Sequence, residues 1–274
     1  MPPERGGWIH HKRAARLSEH IPFRATRAVL LDLDDTLIIE EAHAHCVVRG
    51  TAAIAGVDPD AWERIVFATA RAAWHASDLH PVCGDLGISS WEGLWATFAG
   101  GHPRIAGLRD FATPYRERVW TSACEAAGVD PRLAPRLSRM YVEGQRSGHP
   151  PAPGAEELLR RAVSMGPVAL VTNGPPDIQR LKLEQTGLAE QFSAVVISGE
   201  LGVGKPDPEV FLRTVRSFGV EPSEAVMVGD SWERDVEGAV AAGLSAVWIS
   251  HGRETPRSDP AVRVAESAAD VRFS

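Results

Sequence analysis

Cysteine is scarce in this chain: Cys46, Cys83 and Cys124 are the only three in 274 residues. They are too few and too scattered for a disulfide framework or a zinc site, so free thiols in a cytoplasmic protein are expected. Long apolar runs are missing too. No stretch approaches the ~20 residues that cross a bilayer, and no basic, apolar and cleavage regions in series mark a secretory signal, so no membrane association is expected. Positive charge is in deficit, with 29 Lys and Arg against 36 Asp and Glu and a net charge of -7. That balance argues against a dedicated nucleic-acid or anionic-membrane binder. What is present, 44% hydrophobic and 24% charged residues, is the balance of a globular protein with room for one large domain or two smaller ones.

The segment from Ala28 to Leu37 organises the rest. Four apolar residues, Ala28-Val29-Leu30-Leu31, read as a strand buried on both faces, and the chain then runs into Asp32 and Asp34. Carboxylates two apart on an extended backbone project to the same side. Placed that close they repel, so a cation or a shared proton is expected beside them. Ahead of this strand, residues 1–25 carry mixed charge, with a His10-His11 pair and a short helix expected over Lys12–His20.

After the strand, apolar spacing predicts helices over Glu41–Ala55, closed by Gly56, and over residues 59–77, opened by the Asp58-Pro59 cap. Further helices are expected over Ser90–Ala99, Leu108–Ala127 and Pro131–Ser147, with loops between them. No strand is expected from 43 to 148, which reads as an all-α unit. The composition changes at Gly148-His149-Pro150-Pro151-Ala152-Pro153-Gly154, a stretch too rich in proline for a helix or strand interior. Beyond it, strands over Val168–Thr172, Ala194–Ser198, Ala225–Gly229 and Ser245–Ile249 alternate with helices over Ala155–Ser164, Pro176–Thr186, Pro208–Phe218 and Trp232–Ala242. Such alternation indicates right-handed crossovers and a parallel sheet covered on both faces. The first strand joins that sheet in this reading. The expected fold is thus α/β: a Rossmann-like, doubly wound parallel core of residues 26–42 and 149–274, with a helical insertion at 43–148.

Open parallel sheets bind ligands at the carboxyl ends of their strands. The residues found there are Asp32 and Asp34; Thr172, Asn173 and Gly174; Lys205 in Gly204-Lys205-Pro206-Asp207-Pro208; and Gly229-Asp230-Ser231 with Asp235. Two acidic clusters supply the oxygen ligands that Mg2+ prefers. A hydroxyl, the amides of a glycine turn and a lysine suit the oxygens of a phosphoryl group. Singly, each element has a plain structural explanation, such as Asp230-Ser231 capping the next helix. Together and in this order they point to phosphoryl chemistry.

These four motifs strongly resemble those of the haloacid dehalogenase-like (HAD) hydrolase superfamily, and the likeness spans residues 27 to about 252, with the insertion where C1-capped members carry theirs. Leu170 to Gly174, the Gly-Lys-Pro stretch and Val226 to Asp230 look most similar to the N-acylneuraminate-9-phosphatase and nucleotidase branch. The resemblance implies Asp32 as nucleophile, forming an aspartyl-phosphate, and Asp34 as general acid and base. It implies Mg2+ held by Asp32, the Asp34 carbonyl and Asp230, with Asp235 supporting. Thr172 and the Asn173 amide would bind phosphate oxygens, and Lys205 would neutralise charge and tether Asp32. Dehalogenases lack the second aspartate, so Asp34 favours a phosphatase or phosphomutase, and the reading adopted is a phosphatase of a small phosphorylated metabolite. A phosphomutase and a catalytically silent binding domain are the rival readings.

An insertion beside a phosphate site is expected to act as a lid, hinged near Ile39–Ala44 and Gly148–Gly154. Candidate contacts to the leaving group are Glu40, His43, Trp74, His75, Trp91, Arg104 and Arg109, with packing expected to account for Trp74 and most of the other tryptophans. The pattern of one chain carries no signal for oligomeric state.

Overall fold

The computed structural model describes residues 26–273. The His10-His11 pair and the helix expected over Lys12–His20 lie outside the described residues. All four residues of β1, Ala28–Leu31, are fully shielded from solvent. Their alternation splits them between two cores: Val29 and Leu31 belong to one face of the sheet, Ala28 and Leu30 to the other. Each buried leucine contributes roughly 1.5–3 kcal/mol on such a site. A strand that feeds both faces belongs in the middle of a sheet, and β1 lies there.

Five more strands follow: β2 (Val168–Thr172), β3 (Ala194–Ile197), β4 (Ala225–Gly229), β5 (Ser245–Ile249) and β6 (Val262–Ala265). They form one sheet in the order β3-β2-β1-β4-β5-β6, and every neighbouring pair is parallel. Helix Ala155–Met165 and the segment around Ala268–Phe273 cover one face, while Pro208–Ser217 and Gly238–Ala241 cover the other. The order reverses at β1, where the chain adds β2 and β3 on one side and β4 to β6 on the other. That switch point leaves a crevice at the carboxyl ends of β1 and β4.

Between β1 and β2 the chain builds a helical bundle from Glu41–Ala55, Pro59–His75, Ala106–Ala127 and Ala134–Arg146. Asp58 caps the second helix by accepting from the Ala61 amide, and Gly56 ends the first at φ 72°. The bundle has its own apolar centre, including Trp62, Trp74, Trp95, Trp120, Tyr115 and Tyr141, and it rests on the sheet-side helix Pro176–Thr186 through Ile178. Chain entry and exit run side by side: the Ile39 amide donates to the Pro150 carbonyl at 2.8 Å and the Ala152 amide to the Leu37 carbonyl at 2.9 Å. Among the described residues no helix is long and apolar enough to cross a membrane.

The structure departs from the sequence reading at four places. The helix expected over Ser90–Ala99 stops at Gly93, because the Asp177 carboxylate captures both the amide and hydroxyl of Thr97 at 2.7 Å. A short helix, His80–Asp85, forms where proline and glycine suggested loop. The helix at Trp232 begins with a wide π turn to Glu237 before tightening. Strand β6 was not expected: its four residues, Val-Arg-Val-Ala, form an edge that only β5 pairs with.

His149 lies on the return segment, stacked 5.9 Å from Trp95 and tilted against His43 at 4.5 Å. Burial, with the nearby Lys182 and His43, lowers its imidazole from 6.5 to about 3. The unfolded chain therefore takes up a proton there that the folded one refuses. Stability is expected to fall as pH drops below 6.5, by up to about 1.4 kcal/mol per unit from this residue. Urea unfolding at several pH values should show that dependence flatten in His149→Gln, and an unchanged slope would contradict it.

Candidate active site

Three neighbouring strand ends meet in the crevice. Asp32 follows β1, Thr172 closes β2, and Gly229-Asp230 closes β4, while Lys205 arrives from the loop after β3. Lys205 is almost wholly buried, and its ammonium donates to Asp32 Oδ1 and Asp235 Oδ1, both at 2.6 Å. The Thr36 hydroxyl donates to Asp32 Oδ2 at 3.3 Å. Asp235 accepts on its second oxygen from the Ser231 amide at 2.9 Å, which holds the carboxylate back against the strand end. A Cβ at Gly229 would stand 2.3 Å from the Asp235 carboxyl carbon, so only glycine permits that approach.

Asn173 locks the lysine loop from the side. Its amide nitrogen donates to the Lys205 carbonyl at 2.8 Å, and its oxygen accepts from the Lys205 amide at 2.9 Å. The Asn173 side chain is thereby committed to protein, so any contact with an anion falls to its backbone amide. The Thr172 hydroxyl oxygen accepts from Gln179 Nε2 at 2.7 Å. Asp230 is half-buried; its carboxylate accepts from Arg253 at 3.2 Å, and its carbonyl accepts from Trp248 at 2.8 Å.

A family model for haloacid dehalogenase-like hydrolases matches residues 26–243, which takes in Asp32, Thr172, Lys205, Asp230 and Asp235. The chain belongs to that family. A phosphoserine phosphatase from Thermus thermophilus is 41% identical over 88% of this chain and 96% of its own length. A mouse N-acylneuraminate-9-phosphatase is 42% identical over 36% of this chain and 39% of its own. The crystal structure of a HAD hydrolase from Bacillus subtilis, bound to magnesium, superposes with a TM-score of 0.61 at 19% identity, over 89% of this chain and 96% of that one. This HAD-like hydrolase therefore shares the fold of that family and has relatives named as phosphatases.

The electrostatics suit a cation. Asp32, Asp230 and Asp235 each place a carboxylate oxygen within 4.8 Å of the others. Burial raises the Asp32 carboxyl well above its usual range; Lys205 opposes this, and Asp235, Asp34 and Asp230 add to it. Asp230 is pushed up to about 6, first by burial and then by Asp235 and Asp35. Lys205 shifts upward, since Asp235 and Asp32 outweigh the burial that would lower it. Lys205 and the half-exposed Arg253 do not neutralise this many carboxylates, and a hard divalent ion with oxygen ligands would. The donor set fits Mg2+.

The bundle closes the crevice into a cleft of about 240 Å3, lined on that side by Glu40, Glu41, Ser89, Trp91 and Glu92. Of the seven residues singled out as contacts to the leaving group, Glu40 and Trp91 reach the cleft and five do not, Trp74 being packed in the bundle core. His43 turns toward the Gly144 carbonyl at 3.3 Å, its ring tilted against that of His149. His75 is exposed at the end of its helix beside His80. Arg104 bridges Asp85 at 2.6 Å and the Gly202 carbonyl at 2.7 Å, fastening bundle to core. Arg109 closes a turn by donating to the Phe98 and Gly100 carbonyls.

Asp34 faces the cleft, but its carboxylate is held away from the acidic cluster: Oδ2 accepts from Gln179 at 2.7 Å and Oδ1 from Lys182 at 2.9 Å. Gln179, Lys182, Glu92 and Arg253 were not singled out in the sequence. Gln179 and Lys182 are one turn apart on helix Pro176–Thr186. Two polar residues at i and i+3 on the face that this helix also packs with Ile178 and Leu183 were the available signal.

Proposed function

We propose that this hydrolase is a Mg2+-dependent phosphatase working through an aspartyl-phosphate on Asp32. The observation that carries the reading is one buried carboxylate, Asp32, held at 2.6 Å by Lys205, beside Asp230 and Asp235 and next to Asp34 in one cleft. Asp32 attacks phosphorus and the bond from phosphorus to the leaving oxygen breaks. Asp34 gives that oxygen its proton, then takes one from the water that attacks the aspartyl-phosphate, and free phosphate departs with Asp32 regenerated. Lys205, the Thr172 hydroxyl and the Asn173 amide face the phosphoryl oxygens in this reading. Asp32, the Asp34 carbonyl and Asp230 hold Mg2+ with Asp235 in support, and the ion when bound offsets phosphoryl charge.

The helical insertion, 43–148, serves as the cap over core segments 26–42 and 149–274, pivoting on the hydrogen-bonded segments near Ile39 and Pro150. A cleft of about 240 Å3 lies below the usual ~300–1,000 Å3 of ligand pockets, which favours a compact substrate. Of the carboxylates on its cap side, burial pushes Glu40 up to about 8 beside Lys182 and raises Glu92 too, which leaves the exposed Glu41 to favour a leaving group that carries positive charge over one with a second phosphate. With the Thermus relative's name, this makes phosphoserine the first substrate to test. Free thiols at Cys46, Cys83 and Cys124 support a cytoplasmic setting.

The test is phosphate release from O-phosphoserine, p-nitrophenyl phosphate, a nucleoside monophosphate and N-acylneuraminate 9-phosphate. Phosphoserine is expected to lead the nucleotide by at least about tenfold in kcat/KM, a difference of ~1.4 kcal/mol. EDTA should abolish turnover and Mg2+ restore it. Release from none of these esters, or turnover indifferent to EDTA, overturns the reading.

A further inference from the structure

We infer that Lys182 is a positioning residue for Asp34, and that it ties the placement of this acid and base to the seating of the cap. The inference rests on the phosphatase reading above. Lys182 lies on the core helix Pro176–Thr186 and has no solvent-exposed side-chain surface. An ammonium wholly withdrawn from water is costly unless acceptors surround it. Here its partners are the two carboxylates at the mouth of the cleft: Asp34 Oδ1 at 2.9 Å and Glu40 Oε1 at 3.4 Å. Trp95 adds its ring face 5.9 Å away.

With Gln179 on the other oxygen, both atoms of the Asp34 carboxylate are tethered by one helix face. The carboxylate plane is therefore set by the core and not by the loop that carries Asp34. Glu40 continues the chain outward. It sits where the polypeptide leaves the core, and both its oxygens accept from the indole N–H of Trp91, at 3.0 and 3.2 Å, on the far wall of the cleft. Trp91, Glu40, Lys182 and Asp34 thus form one line from the cap to the acid and base. Lys182 holds its proton throughout, since Asp34, Glu40 and Glu92 outweigh the burial that would lower it.

A residue that only aligns a proton donor matters most when the leaving group needs a proton. The experiment compares Lys182→Met with wild type on O-phosphoserine, whose alkoxide must be protonated, and on p-nitrophenyl phosphate, whose phenolate leaves without help. On phosphoserine, kcat is expected to fall by about 10²–10³-fold with KM within about threefold, the range of a general acid–base contribution. On the aryl ester, the first turnover should stay within about threefold of wild type, giving a burst of p-nitrophenolate equal to the enzyme present. Slow steady release should follow, because attacking water still needs an aligned base.

Equal losses in the first turnover of both esters, or an unchanged kcat on phosphoserine, overturn the inference. Lys182→Met leaves Glu40 without its ion partner, so Lys182→Met/Glu40→Gln is measured alongside, with thermal unfolding to establish that it folds. The same selective loss in this charge-balanced variant supports the inference; wild-type turnover of phosphoserine overturns it. A wild-type enzyme inert on both esters would overturn the phosphatase reading and this inference with it, whereas an active wild type matched by Lys182→Met removes this inference alone.

Discussion

Replacing Asp32 by Asn is expected to lower turnover of any phosphomonoester by about 10⁴-fold or more, the scale seen when a covalent nucleophile is removed. The side chain keeps its volume; its amide oxygen can still accept from Lys205, which now donates to Oδ1 at 2.6 Å, while the amide nitrogen takes the place of Oδ2 and donates to the Thr36 hydroxyl oxygen that now donates to it at 3.3 Å. What disappears is the anionic oxygen proposed to attack phosphorus. Lys205 retains Asp235 at 2.6 Å, so the lysine is not stranded. Removing one of several mutually repelling carboxylates leaves the fold intact, and the thermal midpoint should equal or exceed that of wild type. Mass spectrometry of acid-quenched enzyme checks the chemistry directly: the phosphoryl adduct belongs on the Asp32 peptide of wild type and is absent from the variant. Turnover within tenfold of wild type would remove Asp32 from the mechanism.

Lys205→Met is expected to damage stability and activity together. The ammonium is shared between two carboxylates that are nine-tenths or more buried. Taking it away strands both, and breaking a buried ion pair by deleting one partner costs about 3–5 kcal/mol. At roughly 2–4 °C per kcal/mol for a chain of this size, the thermal midpoint should drop by about 6–20 °C. Calorimetry measures the drop, and phosphate release from phosphoserine measures the loss of turnover. Added Mg2+ should recover more of the midpoint in the variant than in wild type, since the ion replaces part of the missing charge. A variant that melts and turns over like wild type would show that Lys205 neutralises nothing of consequence.

The parallel core was legible because it rests on local signals. Apolar runs of four or five residues with no polar interruption marked β1, β2 and β4, and each ended in a residue of the site. Edge strand β6 was not legible, because Arg263 interrupts its run and pairing on one side demands little of its sequence. The bundle helices could be read from their caps and spacing. Of the residues in and beside them that face the cleft, Glu40 and Trp91 were among seven candidates while Glu41, Ser89 and Glu92 were not, since helical period tells which face is buried and not what it is buried against.

The sequence by itself determined the fold class and the acidic cluster, because a parallel sheet puts the residues after its strands at one edge whatever the loops do. Only the tertiary structure decided where Asp34 points. Its carboxylate answers to Gln179 and Lys182, 145 and 148 positions away along the chain. Likewise, Arg104 and His43 became fastenings of the bundle, and Glu40 and Trp91 became cleft walls. Which of two similar side chains meets a cleft depends on how the bundle sits on helix Pro176–Thr186, and that seating is a sum of long-range contacts with no local sequence signature.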